Sequence, residues 1–172
     1  MKISILGYSG SGKSTFAIKL GRHYQCEVLH LDTIHWLPGW KEREKEEEVE
    51  MIGKYLDEKD AWIIDGNYRS KLLERRLEES DYIYIFQFNR FRCLFRVIKR
   101  LIMYRGKTRE SITAGCEEKI DWEFVYWVLH EGRDKEHRQE FQSIAAQYQD
   151  KTTVIRTPRA LKEVEKNLNG VI

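Results

Sequence analysis

Cysteine is scarce in this chain of 172 residues: Cys26, Cys93 and Cys116 are an odd number without close spacing. That argues against a disulfide framework and a zinc cluster, and reduced thiols in the cytoplasm are the simplest reading. Proline is scarcer, with only Pro38 and Pro158. Each stands where a loop or a helix start is expected, so neither opens a linker between domains. No apolar run approaches the length of a membrane span. The opening Met1-Lys2 passes directly into Ile3-Ser4-Ile5-Leu6, without the charged leader, long apolar stretch and small-residue cleavage site of a signal peptide. An excess of one charge is missing as well. Charged residues make up 34% of the chain, yet the formal net charge is only +2, so no global field marks an obligate nucleic-acid binder.

The hydrophobic content of 41% supplies one core, and the length is too short for two. Residues 1–172 therefore read as a single domain with mobile attachments. Apolar runs of strand length recur at 3–6, 28–31, 62–64, 82–86 and 152–155. Longer charged segments with helical spacing lie between them, at 13–24, 42–59 and 69–79. This alternation predicts an α/β fold, a parallel sheet with helices on both faces. The acidic segment 42–50 carries Val49, Ile52 and Leu56 as one apolar stripe, which makes it a solvated helix face rather than a binding patch.

Between the first strand and the first helix runs Gly7-Tyr8-Ser9-Gly10-Ser11-Gly12-Lys13-Ser14, a match to G-x-x-x-x-G-K-[ST] in the required context. Glycine is needed because several main-chain N–H groups must converge on phosphate oxygens, where side chains would block the approach. The helix that follows turns its positive N-terminus to the same anion. Lys13 supplies a point charge to the β- and γ-phosphates, the Ser14 hydroxyl is placed to ligate Mg²⁺, and Thr15 offers a second hydroxyl. A glycine-rich turn that only caps a helix is the plainer alternative, and the strand–loop–helix order speaks against it.

Ligands of an open parallel sheet bind outside the carboxyl ends of its strands. Asp32 closes the run 28–31 and Asp65 closes 62–64, so both are positioned to act. Asp65 is the candidate for holding Mg²⁺ through its water shell. Asp32 is assigned to the acceptor, as a hydrogen-bond acceptor for its hydroxyl or as a base; the two assignments are exchangeable at this stage, and either aspartate also suits a helix cap. Asp81 precedes its strand and falls at the wrong end.

From position 90 to 109 the chain carries Arg90, Arg92, Arg96, Lys99, Arg100, Arg105, Lys107 and Arg109 without one acidic residue. Arg92, Arg96 and Arg100 recur every fourth residue and stack on one helical face, while Phe91, Phe95, Ile98 and Ile102 are expected to supply the opposing core face. Like charges so spaced repel, and a phosphoryl group in transfer relieves that repulsion. A short lid or a disordered loop is expected over about 103–120, where small residues replace periodicity. Arg133 and Arg138 read as surface arginines in preference to lid-closing ones, and Trp122, Phe124, Tyr126 and Trp127 read as a packing helix. His30 and His35 lack further ligands at metal-binding spacing.

Residues 7–14, Leu31-Asp32-Thr33-Ile34-His35-Trp36 with Trp40, Trp62-Ile63-Ile64-Asp65-Gly66-Asn67-Tyr68, and the arginines at 92–100 together resemble the adenylate-kinase-like small kinases. More narrowly, they are similar to the family of DNA topology modulation proteins, whose name reports an effect on DNA topology rather than direct action on DNA. The resemblance implies a three-layer P-loop NTPase fold with a five-stranded parallel sheet in the order 2-3-1-4-5 and a short helical lid. It also implies ATP with Mg²⁺, and adenine near the loop after the last strand, where Arg156 and Pro158 would sandwich the purine. In place of the glycine-phenylalanine-proline-arginine run of true adenylate kinases stands Asp65-Gly66-Asn67-Tyr68-Arg69, and their long lid is missing.

The leading functional expectation is an ATP-dependent kinase that moves the γ-phosphoryl group to a small acceptor, a nucleotide or another hydroxyl compound. The alternative is a nucleotide-regulated nucleic-acid-binding protein whose basic helix contacts backbone phosphates; a sequence pI of 8.3 falls short of the strongly basic footprint such a protein needs. A third is an NTPase that switches conformation without an acceptor.

Overall fold

The five apolar runs form one parallel sheet: β1 (Lys2–Gly7), β2 (Val28–His30), β3 (Trp62–Asp65), β4 (Tyr82–Phe86) and β5 (Thr152–Ile155). The computed structural model describes residues 1–104, 111–117 and 121–169. Strand order is β2-β3-β1-β4-β5, as the resemblance implied. β1 pairs in register with β3 on one side (Ile5 opposite Asp65) and with β4 on the other (Gly7 opposite Phe86). Parallel pairing demands long crossovers, and the charged segments supply them as helices. These are α1 (Lys13–Tyr24), α2 (Leu31–His35), α3 (Lys45–Glu58), α4 (Leu73–Glu79), α5 (Arg90–Met103), α6 (Trp122–Leu129), α7 (Lys135–Gln147) and α8 (Pro158–Asn169). A two-residue antiparallel ribbon, Trp36 and Leu37 against Lys41 and Glu42, turns at Pro38 and Gly39.

Alternate strand residues feed opposite faces, which is why the runs are apolar throughout. On one face Ile3, Ile5, Ile63, Tyr84 and Phe86 pack with Phe16 and Leu20 of α1, Cys93 and Val97 of α5, and Val128 of α6. On the other face, Leu6, Ile83 and Ile85 meet Leu77 of α4 and Phe141 and Ile144 of α7, while Trp62 and Ile64 meet Leu31, Ile52 and Leu56. Each large side chain so buried contributes about 1.5–3 kcal/mol.

Two expectations about helix faces are corrected. Phe91, Phe95, Ile98 and Ile102 of α5 are exposed, and the buried side is built from Cys93 and Val97. The cause is the close approach of α5 to the glycine loop: a Cβ added to Gly10 would stand 2.6 Å from the Cys93 carbonyl oxygen. Only small side chains fit that contact. On α6, Trp122, Tyr126 and Trp127 are exposed too, leaving Val128 buried and Phe124 half-buried.

Candidate active site

The loop 7–14 leaves the carboxyl end of β1 and enters α1 through Gly12, whose φ of 96° lies in the left-handed region that glycine tolerates. Gly10, at φ 74°, gives the loop the same freedom beneath α5. No side chain caps α1, and its first turn holds no acidic residue. Its first amides, which have no intrahelical partner, therefore remain available to an anion. Lys13 Nζ donates to the Tyr8 carbonyl at 3.1 Å, folding its ammonium back over the loop. Burial pulls the ammonium below the usual lysine range, and the carboxylates of Asp65 and Asp32 oppose that pull. Both strand-end aspartates thus lie within the field of the same cation. Ser11 is buried with an unpartnered Oγ, Ser9 and Ser14 are half-buried, and Thr15 is exposed.

Asp65 is buried at the end of β3, and its Oδ2 shares a hydrogen bond of 2.9 Å with His30 Nδ1 on the adjoining strand. Burial works against its charge, but the His30 bond, the Lys13 ammonium and the Ser14 hydroxyl outweigh it, holding the carboxyl below the usual range. Its other oxygen, Oδ1, is buried without a hydrogen-bond partner. A buried carboxylate oxygen left unpaired beside a serine hydroxyl is a hard-oxygen pair of the kind Mg²⁺ takes, directly or through water, so the residues present fit that ion.

The residues after Asp65 form a small machine of hydrogen bonds. Asn67 holds Gly7 twice: Gly7 N donates to Oδ1 at 2.8 Å, and Nδ2 donates to the Gly7 carbonyl at 2.9 Å. Tyr68 donates its hydroxyl to Asp32 Oδ1 at 2.8 Å. Its proton is held far above the usual range, by burial first and then by the Asp32 charge. Arg76, fully buried, donates to the carbonyls of Lys71, Gly66 and Tyr68 and so fixes this loop. Burial brings its guanidinium down to about 10. Tyr68 belongs to a chain of rings: His35 lies 4.5 Å from Trp36 and 4.9 Å from Tyr68, and Trp36 lies 5.4 Å from Trp40. Glu48 of α3 accepts from His35 Nδ1 at 2.7 Å and from Lys71 Nζ at 2.9 Å on one oxygen, with Glu48 and Lys71 both buried. The acidic helix expected to be merely solvated therefore spends one carboxylate inside. A glutamate four residues ahead of the core position Ile52, on the same helical stripe, is the only sequence signal for it.

The three arginines of α5 part company. Arg96 Nη1 donates to the Ser11 carbonyl at 2.6 Å, with its guanidinium 5.2 Å from the Phe88 ring. Arg100 is half-buried and close enough for its charge to act on Lys13. Arg92 is exposed beside Asn89 and Phe95. Arg133, expected on the surface, is instead buried under the glycine loop. It donates to the carbonyls of Val128 and Phe88 at 2.8 Å each and stacks 4.0 Å over the Tyr8 ring. The aromatic Tyr8 inside the loop creates the need for it, a pairing invisible along the sequence. Arg138 is exposed as expected.

Within the expected lid, Arg105, Gly106, Lys107, Thr108, Arg109 and residues 118–120 lie outside the described residues. The described stretch 111–117 is tied to the ribbon: Thr113 Oγ1 bonds the carbonyls of Thr33 and Trp36, and Trp40 Nε1 donates to the Glu117 carbonyl at 3.1 Å. Arg156 follows β5 and is exposed, and Pro158 opens α8 half-buried. Asp81 sits at the opposite end of the sheet, accepting from Lys2 N at 2.7 Å. No helix among the described residues is long and apolar enough to cross a membrane.

Sheet order, loop and strand-end carboxylates together define a three-layer α/β fold of the P-loop kinase class. No family model and no curated protein matches the chain. Among solved structures it is similar to deoxyadenosine kinase from M. mycoides with bound dATP, at TM-score 0.57 and 13% identity over 98% of this chain and 100% of that one. The same kinase with dCMP and dCDP bound aligns at TM-score 0.50 and 14% identity over the whole of both chains. These likenesses establish the fold, and the narrower DNA topology modulation family finds no match.

Proposed function

We propose that the protein is an ATP-dependent phosphotransferase acting on a small hydroxyl compound, with a nucleoside or nucleotide as the favoured acceptor class. The observation that carries this reading is the meeting, at one end of the sheet, of an uncapped helix N-terminus, the Lys13 ammonium and two carboxylates of unlike surroundings. Loop amides and Lys13 hold the β- and γ-phosphates, with Arg96 bracing the loop and Arg100 adding charge. Ser14 and Asp65 would hold Mg²⁺, which supplies charge neutralisation on the phosphate oxygens when bound. Asp32 accepts the proton of the acceptor hydroxyl as its oxygen bonds to the γ-phosphorus. The bond from that phosphorus to the bridging oxygen breaks, and ADP leaves with the electron pair. The rings of His35, Trp36 and Tyr68 offer a planar acceptor a stacking wall, and Arg156 with Pro158 would flank adenine. The deoxyadenosine kinase likeness supports this acceptor class.

The test is ADP release with ATP and Mg²⁺ across a panel of nucleosides, nucleoside monophosphates and unrelated alcohols. Acceptor-dependent turnover that disappears in Lys13→Ala supports the reading; undiminished transfer by that variant contradicts it. Slow hydrolysis with no preferred acceptor points to a switch NTPase. DNA affinity that falls steeply with salt would favour the nucleic-acid reading, but Arg96 is bonded to the loop and the charge of Arg100 acts on Lys13.

A further inference from the structure

Helix α5 turns its largest apolar side chains away from the core. Phe91, Phe95, Ile98 and Ile102 are 70%, 68%, 44% and 72% exposed. Their spacing of four, three and four residues draws one continuous seam, the spacing by which one helix packs along another. On the adjacent α6, Trp122 and Tyr126 are 85% and 55% exposed. At about 200 Å² for each such side chain, the six expose on the order of 800 Å². That exceeds the few hundred Å² a monomer usually shows and equals what each partner gives to a standard interface.

Charge narrows the choice of partner. Helix α5 carries no acidic residue, and its exposed Arg92 and Lys99 form no ion pair among the described residues. Residues 121–129 carry no basic residue, and the exposed Glu123 is likewise unpaired among the described residues. An anionic membrane or a nucleic acid would attract the first helix and be repelled by the second. A second copy satisfies both, because a two-fold axis places each patch against itself reversed. We propose that this face binds a second copy of the chain, α5 of each protomer lying along α6 of the other, with basic flanks against acidic ones twice. The phosphotransfer reading is not needed for this inference.

Sedimentation velocity of the full chain, from low to high micromolar concentration, tests it. A reversible monomer–dimer equilibrium is expected. Phe95→Glu or Ile102→Glu weakens it by roughly thirtyfold or more, the scale of losing one buried anchor. Far-UV circular dichroism should not change, because both side chains lie outside the core. Lys99→Glu and Glu123→Lys each weaken the dimer, and the double variant recovers affinity. A monomer at every concentration overturns the proposal, as does a dimer indifferent to both glutamate variants or growth beyond two copies. A monomeric chain that sediments with phosphatidylglycerol vesicles also overturns it and assigns the face to membranes.

Discussion

Lys13 and Asp65 show how few side chains carry the candidate chemistry. Removing the ammonium in Lys13→Ala is expected to lower phosphoryl transfer by about 10²–10³-fold while the fold persists, measured as ADP release alongside circular dichroism. The motif made Lys13 and Ser14 legible, and the strand-end rule made Asp32 and Asp65 legible. Glu48, Lys71, Arg76 and Arg133 were not, because their partners are main-chain carbonyls or residues far away in sequence. Lys71→Met leaves the buried Glu48 carboxylate with His35 as its remaining partner and should cost about 3 kcal/mol in urea unfolding. Both Glu48 and Asp65 have folded carboxyls below their usual range, burial being outweighed in each by bonds to Lys71 and His35 or to His30. The unfolded chain then binds the proton more readily. The stability these groups supply is complete above the ordinary carboxylate range and is lost as pH falls through it and below. Urea midpoints that fail to drop on acidification past that range would contradict the assignment.

At the scale of elements, strand positions and α1 followed from apolar runs bounded by glycine and charge; α1, β4 and β5 match the expected ranges residue for residue. The facing of α5 did not follow, because its sequence contains two alternative stripes. Periodicity favours the larger side chains for the core, whereas the shallow contact with the glycine loop admits only Cys93 and Val97. Gly10→Ala tests that contact: a methyl group meeting the Cys93 carbonyl, on a backbone at φ 74°, should destabilise by more than about 1 kcal/mol and weaken nucleotide binding. The face beneath α1 behaves ordinarily. Phe16 meets Tyr84 at 5.1 Å and Phe86 at 5.3 Å, so Phe16→Ala should cost about 3–5 kcal/mol in the same denaturation assay.

For the molecule as a whole, the three-layer order was within reach of the sequence because alternating strands and helices leave few topologies. Its surface was not, since an exposed apolar seam and a buried one share the same pattern of letters. If α5 and α6 join two copies, the melting temperature should rise with protein concentration, and in Phe95→Glu it should not. Inside each copy, the double grip of Asn67 on Gly7 sits one residue from the Tyr68 contact with Asp32. On the phosphotransfer reading proposed above, a nucleotide that shifts the phosphate loop should displace the Tyr68–Asp32 contact as well, and linkage then makes the affinities for nucleotide and acceptor alter each other by one common factor. Asn67→Ala should leave both sites able to fill but make their occupancies independent, a loss of synergy that titrations with and without the second substrate would reveal.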